Sequence, residues 1–353
     1  GHLLGSASIR LTLTEGGETR TIVFSGDIGN VDQPIIRDPQ FFTGADYVVM
    51  ESTYGDRNHT EVWSYTGQLA QIIDETLGKG GNVVIPSFAV GRTQELLYFL
   101  REIKHQGLVK SFPSFQVCVD SPLAAEATRI YAGDLRGYLD EAALELVQDG
   151  THMFNFTNLR MTETSEESKM LNMDPTPKVI ISASAIPGNE VTVGRVINEL
   201  FRKGADVVYD KADMLHVSGH ACQEELKIIH ALTKPRFFIP LHGEQRMLQI
   251  HSQLAQDMGM DRNHIAIADN GSVIEITAKT IKLGGTVPSG EVYVDGSGVG
   301  DVGAVVMRDR KRLAEDGMVV VVLPISAHNG DLLSEPEIVT RGFIYCLLYT
   351  SDA

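Results

Sequence analysis

The sequence predicts an α/β protein in which a parallel-sheet domain, residues 62–213, is inserted into a second domain. Short apolar runs alternate with helix-like stretches across the inserted segment, which is typical of a parallel sheet with helices on its faces. Each of these runs ends in polar or turn-forming residues. The residues best suited to ligand chemistry lie before residue 62 and after residue 213, so we expect the two flanks to form one domain.

The expected elements of the inserted domain follow one another in strict alternation. The strands lie at 83–85, 116–119, 178–181 and 206–209, and the helices near 62–77, 92–105, 123–132 and 191–203. Outside this domain, residues 1–61 supply the first part of the surrounding domain and 214–345 supply its return and a linker region. Residues 346–353 depart from the pattern and are interpreted as a tail.

Length and composition describe an ordinary globular protein. With 353 residues, 43% of them hydrophobic, the chain can bury a large core. No apolar run approaches the roughly 20 residues that a membrane span needs, so we expect no membrane partner. The 3 cysteines form no Cys-x-x-Cys pair, which indicates a reducing, cytoplasmic compartment and disfavours a thiolate zinc site. A net charge of −16 opposes nucleic-acid binding unless basic patches or bound cations attract the backbone locally.

Three polar segments follow expected strands or turns in the first domain. His2 lies in a tight loop between two glycines. Asp27 stands between glycines just past an expected strand, where open α/β folds place ligand chemistry. A turn aspartate that caps its own backbone is an equally good interpretation of Asp27 alone. The next strand ends in Glu51 and a polar run that is too dense for a plain connector.

The stretch at 215–244 combines a short amphipathic helix with a buried strand. Apolar residues recur every three positions between 223 and 233, and Lys234-Pro235 ends the helix before the strand at 236–241. Because a helix that turns directly into a strand folds back, the helix start and the strand end meet at one edge. Imidazoles and a hydroxyl at a helix N-terminus suit a metal ion and a phosphate. That edge carries His216, Ser218, His220 and His242. Structural histidines are the alternative.

Candidate metal ligands come from three separate motifs. His2, Asp27 and His242 form an N/O ligand set that suits zinc or manganese. A hydrolytic centre with two ions would need further ligands. Residue 1 is Gly and the chain begins inside the His2 motif, so we expect a fragment whose remaining ligands lie upstream.

Several motifs together resemble one enzyme family. Gly-His-Leu-Leu-Gly-Ser-Ala, Phe-Ser-Gly-Asp-Ile-Gly and Glu-Ser-Thr-Tyr-Gly-Asp-Arg look like the later metal motifs of metallo-β-lactamase-fold nucleases. Pro-Ser-Phe-Ala-Val-Gly-Arg-Thr-Gln-Glu-Leu-Leu, Asp-Ser-Pro-Leu-Ala, Ser-Gly-His-Ala and Pro-Leu-His-Gly-Glu resemble their inserted β-CASP domain and its motifs A, B and C. The resemblance implies a metallo-β-lactamase αββα sandwich, truncated at its N-terminus, around a β-CASP parallel-sheet domain.

The two halves of the chain resemble different branches of this family. From Ile186 onward the sequence is most similar to ribonuclease J. The first half looks more like the nuclease subunit of the cleavage and polyadenylation factor and its prokaryotic relatives. Either this is a natural intermediate, or two related sequences are joined near Ser184.

The resemblance also implies roles for individual residues. Two Zn²⁺ ions are expected, with Mn²⁺ or Mg²⁺ as alternatives, and Asp27 would bridge them. The family's His-x-His-x-Asp-His ligands would precede residue 1, so we expect this chain alone to bind metal poorly and to be inactive. The implied metal ligands are His2, Asp27 and His242, and the implied catalytic residues are His220, Asp120 and Asp27. The implied phosphate- or RNA-binding residues are His216, Ser218, Gly219, Ala221, Glu51 and Arg92.

The function that follows from the resemblance is a zinc-dependent ribonuclease. It would hydrolyse RNA phosphodiester bonds as a 5′-to-3′ exonuclease and endonuclease in RNA maturation and decay. Its partners would be RNA and either a second copy of the chain or an RNA-decay complex. Two alternatives stand beside it, an inactive scaffold subunit of an RNA-processing complex and a small-ester metallo-hydrolase. The inserted domain disfavours the ester hydrolase because it lengthens the cleft, and the retained ligand residues disfavour the scaffold.

Overall fold

A computed structural model describes residues 1–58, 65–162, 164, 167, 178–181, 189–209, 219–290, 292–295, 298–299 and 303–341. The chain divides into two compact units, Gly1–Gly285 and Thr286–Ala353. No helix among the described residues is long and apolar enough to cross a membrane. The functional side chains considered below all belong to the first unit.

Strands and helices alternate through most of the chain. The described strands of the first unit are β1 Ile9–Glu15, β2 Glu18–Phe24, β3 Tyr47–Glu51, β4 Val83–Val84, β5 Val117–Val119, β6 Leu159–Met161, β7 Lys178–Ile180, β8 Asp206–Val208, β9 Phe237–Leu241, β10 Ser272–Ile276 and β11 Ile281–Thr286, whose last residue opens the second unit. Its described helices are α1 Tyr65–Gly78, α2 Arg92–His105, α3 Pro122–Tyr131, α4 Glu141–Gln148, α5 Glu190–Arg202, α6 Gln223–Thr233 and α7 Gln245–Asp257.

One four-stranded sheet, in the order β1-β2-β3-β9, organises the first unit. β1 and β2 form an antiparallel hairpin, whereas β2 pairs with β3 and β3 with β9 in parallel. Every residue of β3 is buried, as expected for a strand covered on both faces. In the core, Val48, Met50 and Phe238 pack with Leu226 of α6 and Ala255 of α7. The sequentially distant flanks of the inserted segment therefore meet in one sheet.

The inserted segment carries two smaller parallel sheets. β4, β7 and β8 form one in the order β4-β7-β8, and β5 pairs with β6 in the other. Helices α1 and α2 pack on each other through Leu69, Ile73, Leu96 and Leu100. The predicted alternation of parallel strands and helices is confirmed, as is the mixed α/β class. Helix α4 and strand β6 were not expected from the sequence, and the boundaries at 61/62 and 213/214 stay predictions.

The second unit contains its own short elements. They are β12 Val294–Asp295, β13 Gly298–Val299, α8 Ala304–Asp316, β14 Met318–Val322 and β15 Glu337–Arg341. β12 pairs with β13 and β14 with β15, both antiparallel. The expected tail, 346–353, lies outside the described residues.

Candidate metal centre

The carboxyl ends of β2, β3 and β9 lie side by side because these strands run parallel. Glu51, the last residue of β3, pairs with Leu241 of β9, and His242 follows directly. Asp27 lies in the turn after β2. Ser25, at the start of this turn, donates its backbone N–H to the carbonyl of Val49 in β3 at 2.9 Å. Strand ends that meet at one edge are where parallel sheets place ligands.

His220 reaches the same edge from the start of α6. It forms an isolated antiparallel bridge with Gly29, and the next residue, Ala221, donates its N–H to the carbonyl of Ile28 at 2.9 Å. The predicted fold-back of helix and strand is thus present. His220 is held against the turn that carries Asp27 rather than only against the end of β9.

Four of these side chains converge closely enough to hold a metal ion. Each of Asp27, Glu51, His220 and His242 offers a ligand atom, and the four atoms lie within 4.8 Å of one another. Two imidazoles and two carboxylates are an N/O donor set that zinc and manganese accept. We expected Asp27 and His242 to be ligands, and the structure brings them together. It adds Glu51 and His220 to the group.

Glu51 forms the closed side of this centre. Its side chain is 1% exposed, and Oε1 accepts a hydrogen bond from the backbone N–H of Ile28. Oε2 accepts one from Thr53 Oγ1 at 2.7 Å and lies 2.8 Å from Nδ1 of His220. We expected Glu51 to face RNA phosphate. It lies instead inside the site, where a buried carboxylate can orient an imidazole.

The pair with Glu51 governs the protonation of His220. Burial alone lowers the pKa of this imidazole, but the hydrogen bond and charge of Glu51, together with the charge of Asp27, raise it above the usual value. A carboxylate that accepts from Nδ1 fixes the ring orientation and favours the imidazolium form. Glu51 therefore favours the protonated form of His220.

Asp27 and His242 form the open side of the centre. Their side chains are 42% and 56% exposed, and Nδ1 of His242 lies 3.7 Å from Oδ1 of Asp27. Thr53 Oγ1 connects the two sides, because it is 3.0 Å from the same Nδ1 and also donates to Glu51. His242 has φ +55°, a left-handed conformation that non-glycine residues seldom adopt. An unusual backbone conformation of this kind is commonly found at functional sites.

His2 lies next to this group, although it is not one of the four. Its ring stacks on His220 with a centroid distance of 4.0 Å. Burial and the neighbouring His220 lower its pKa, so that the neutral, metal-binding form is favoured. Nδ1 of His2 is buried without a hydrogen-bond partner among the described residues. An orphaned imidazole nitrogen beside an N/O donor set fits a metal ligand.

The other expected site residues occupy different positions. Asp120 follows β5, is exposed, and accepts a hydrogen bond from Thr162 Oγ1 at 3.2 Å. Arg92 has a side chain that is only 6% exposed, and it pairs with Glu95 at 2.7 Å inside the inserted segment. Ala221 is fully buried, and its N–H is bound to Ile28.

Gly219 lies against His2. A Cβ at this glycine would come within 2.6 Å of His2 Nδ1, so the absence of a side chain permits the close approach. His216 and Ser218 lie outside the described residues.

Three features beside the centre received no individual role from the sequence, which marked only the polar run after Glu51 as a whole. Thr53 joins the two sides of the site, as described above. Asp56, 9% exposed, pairs with both Arg57 and Arg246, whose side chains are 44% and 52% exposed. Arg57 also lies over the Tyr54 ring, with 5.1 Å from Cζ to the centroid. Thr53, Asp56 and Arg57 belong to the polar run after Glu51 that the sequence singled out, whereas Arg246 carried no such signal.

Three family models match consecutive parts of the chain. The Beta-Casp domain matches residues 93–204, and the Zn-dependent metallo-hydrolase RNA specificity domain matches residues 204–267. The Ribonuclease J C-terminal domain matches residues 305–349. The second of these segments contains His220 and His242, so the matched description agrees with a metal-binding donor set at that edge.

Curated relatives extend the comparison. Ribonuclease J 1 of Streptococcus pyogenes serotype M3 is 39% identical over 204 residues, 58% of this chain and 34% of the relative. Ribonuclease J2 of Bacillus subtilis is 42% identical over 177 residues, 50% of this chain and 32% of the relative. Ribonuclease J of Thermus thermophilus is 34% identical over 287 residues, 78% of this chain and 48% of the relative.

The chain spans about a third to a half of the length of these relatives. The alignment with the Thermus protein covers more of the chain than the residues after Ile186 can supply, so similarity to ribonuclease J reaches into the first half. The closer likeness of the first half to the cleavage and polyadenylation factor branch stays a prediction. Over the matched segments, the chain is similar to β-CASP ribonucleases of the metallo-β-lactamase fold and has ribonuclease J proteins as relatives.

Proposed function

We propose that this chain is the catalytic part of a metal-dependent ribonuclease that hydrolyses phosphodiester bonds in RNA maturation and decay. The observation that carries the proposal is the convergence of Asp27, Glu51, His220 and His242 within 4.8 Å at one edge of a parallel sheet. The match of residues 204–267 to an RNA specificity domain of zinc-dependent hydrolases supports RNA as the substrate. The surrounding domain would be a metallo-β-lactamase αββα sandwich.

Asp27, His242 and His2 would hold the metal, expected as two Zn²⁺ ions; Mn²⁺ or Mg²⁺ are alternatives. The orphaned Nδ1 of His2 and the exposed Asp27–His242 side support this division of roles. When bound, the cations lower the pKa of a water and neutralise phosphate oxygens. They would also explain how a chain with a net charge of −16 attracts an RNA backbone.

His220 would donate the proton that the leaving oxygen needs. Glu51 engages Nδ1 at 2.8 Å and so orients the ring for proton transfer. The raised pKa of His220 favours the protonated form that a proton donor needs. Glu51 therefore acts through His220, and this is a different role from the RNA contact that we expected for it.

The remaining expected roles are part of the proposal. His216, Ser218 and the backbone around Gly219 and Ala221 would hold a neighbouring phosphate at the start of α6. The half-exposed guanidinium groups of Arg57 and Arg246 add cationic partners at the rim.

Asp120, expected as a catalytic acid, would act from the end of β5. Arg92, expected to contact RNA, would act from the inserted segment, although its guanidinium is buried against Glu95. We also propose a cytoplasmic enzyme with both 5′-to-3′ exonuclease and endonuclease activity. It would work as a homo-oligomer or in an RNA-decay complex.

The test is cleavage of a 5′-monophosphorylated RNA by the full protein that carries this chain, with zinc content measured on the same samples. His220→Ala should abolish cleavage and leave bound zinc unchanged, whereas Asp27→Ala should remove both. His105→Ala, at an exposed position at the end of α2, is the matched control and should change neither.

Two outcomes would change the proposal. Loss of zinc in His220→Ala would make His220 a ligand rather than a proton donor. A zinc-loaded wild type that leaves RNA intact would favour the inactive scaffold subunit.

A further inference from the structure

A second histidine network lies in the core of the same unit. Nδ1 of His251, on α7, is 2.8 Å from Oγ of Ser52, the residue after β3. Nε2 of His251 is 3.2 Å from Nε2 of His230, on α6. Both rings also pack edge-on against Phe238 of β9, at centroid distances of 4.8 Å and 4.6 Å. The network therefore joins helices α6 and α7 to strand β9 and to the residue that follows β3.

All three polar groups of this network are buried. Ser52 and His251 are 0% exposed and His230 is 5% exposed. Burial lowers the pKa of His230 to about 4 and, together with His230, holds the pKa of His251 well below the usual range. Two neutral imidazoles satisfy each other when one Nε2 donates and the other accepts, and the nitrogen of His251 that remains then bonds Ser52. Apolar side chains would fill this space without the cost of burying polar atoms.

Ser52 connects this network to the metal centre through its backbone. Its N–H donates to the carbonyl of His242 at 3.1 Å, and its own carbonyl accepts from the N–H of Gly55 at 3.0 Å. His242 is the residue with φ +55°, so this bond holds a conformation that L-residues disfavour. Ser52 also stands between Glu51 and Thr53, whose side chains both reach the centre.

We propose that Ser52 and His251, with His230 behind them, are positioning residues for His242. The proposal rests on the proposed function, because it assigns a buried network to the support of a metal ligand. The side-chain bond fixes Ser52, and Ser52 in turn fixes the carbonyl of His242 and the end of β3. Partners behind a metal ligand hold it in its binding geometry, and their loss weakens metal affinity about 10- to 100-fold.

The chain offers a matched set of variants. His251→Asn keeps a polar atom near the position of Nδ1 and so retains a partner for Ser52. His251→Gln keeps one near Nε2 and loses that partner. Ser52→Ala removes the hydroxyl while leaving the N–H that bonds His242. The control is Ser252→Ala, since Ser252 is also buried, at 1% exposed, and its Oγ contacts Gln256 on its own helix.

The experiment titrates each variant, made in the full protein that carries this chain, with Co²⁺ and follows the visible absorption of the bound ion. Ser52→Ala and His251→Gln should weaken the apparent affinity about tenfold and alter the cobalt spectrum. His251→Asn should recover most of the affinity, and Ser252→Ala should match the wild type. All four variants can lower stability. A positioning role predicts that Co²⁺ affinity falls only in the two variants that lose the Ser52–His251 hydrogen bond, whereas a packing role predicts no such division.

A second, metal-free measurement records the Cα and Cβ chemical shifts of His242, which report its backbone conformation. We expect them to change in Ser52→Ala and His251→Gln and to stay unchanged in the other two variants. The proposal is overturned when those two variants keep an affinity within about twofold of the wild type. A wild type that takes up no cobalt would refute the metal site itself, and the His242 shifts alone would then decide whether the network positions that residue.

Discussion

Two pairs of histidines in the Gly1–Gly285 unit experience opposite environments. His220 and His242 stand beside Asp27 and Glu51, whereas His230 and His251 contact each other, Ser52 and Phe238. The pKa of His220 is raised even though burial opposes it, and burial lowers the pKa of His230 to about 4. The comparison teaches that a carboxylate partner can reverse the effect of burial on the pKa of an imidazole.

The largest expected effect comes from neutralising Glu51, the carboxylate that contacts His220 and has no counterpart beside His230 and His251 among the contacts described above. Glu51→Gln keeps the size of the side chain and removes its charge, so burial should then dominate and the pKa of His220 should fall. Loss of a positioned proton donor costs about 100-fold or more in rate. An NMR titration of the His220 ring and single-turnover cleavage of RNA by the full protein measure the two effects.

Glu224→Gln is the control for this change, because Glu224 is exposed and pairs with nearby Lys227. An unchanged pKa of His220 in Glu51→Gln would contradict the role given to the carboxylate.

The next effect concerns the buried pair and the free energy of unfolding. His230 stays neutral in the folded chain down to about pH 4, whereas the unfolded chain takes up this proton below about pH 6.5. Stability should therefore fall as pH falls through this window, by about 1.4 kcal/mol per pH unit for this residue, or about 3 kcal/mol in all. Urea unfolding at pH 7, 6 and 5 measures it.

His230→Phe removes one of the two buried imidazoles and should make this dependence less steep than in the wild type, while the contribution of His251 remains. Equal slopes in the two proteins would show that His230 is not the source.

A smaller effect is expected at Gly219, which lies against His2 beside the metal centre. In Gly219→Ala the new Cβ would lie 2.6 Å from Nδ1 and 3.1 Å from the carbonyl oxygen of His2, so the His2 loop must shift. We expect a loss of about 1–3 kcal/mol in stability from the overpacking and a lower Co²⁺ affinity. Gly137→Ala is the control, since a Cβ there has no neighbour within 4 Å. Equal Co²⁺ affinities in the two variants would show that the close approach of Gly219 to His2 does not affect metal binding.

The smallest effect should come from the rim. Arg246 is 52% exposed and pairs with Asp56, so Arg246→Ala should lower stability by less than about 1 kcal/mol. The pKa of His220 should not change, because Glu51 remains in place. Weaker RNA binding with a shallower dependence on salt is expected if the guanidinium contacts phosphate. A shift of the His220 pKa in this variant would show that the charge of Arg246 acts electrostatically on His220.

Local pattern in the sequence determined the class of the fold and part of the site. The alternation of apolar runs with helical stretches predicted the parallel strands β4, β5, β7 and β8. This was possible because the hydrophobic periods of strands and of helices are set by residues close together in sequence. Polar residues at strand ends singled out Asp27 and Glu51, and the helix–strand turn brought His220 and His242 to one edge. Their chemistry followed from residue type.

Only the tertiary structure decided how these side chains combine. Glu51 and His220 are 169 positions apart, so no local pattern indicates that the Glu51 carboxylate would contact the His220 ring. The same holds for Ser52 and His251, which are 199 positions apart and which sequence reasoning did not connect. The ends of β3 and β9 become neighbours only when the sheet closes across the inserted segment. The sequence therefore determines which groups are present, while long-range packing decides which of them are charged, which are buried and which face the metal centre.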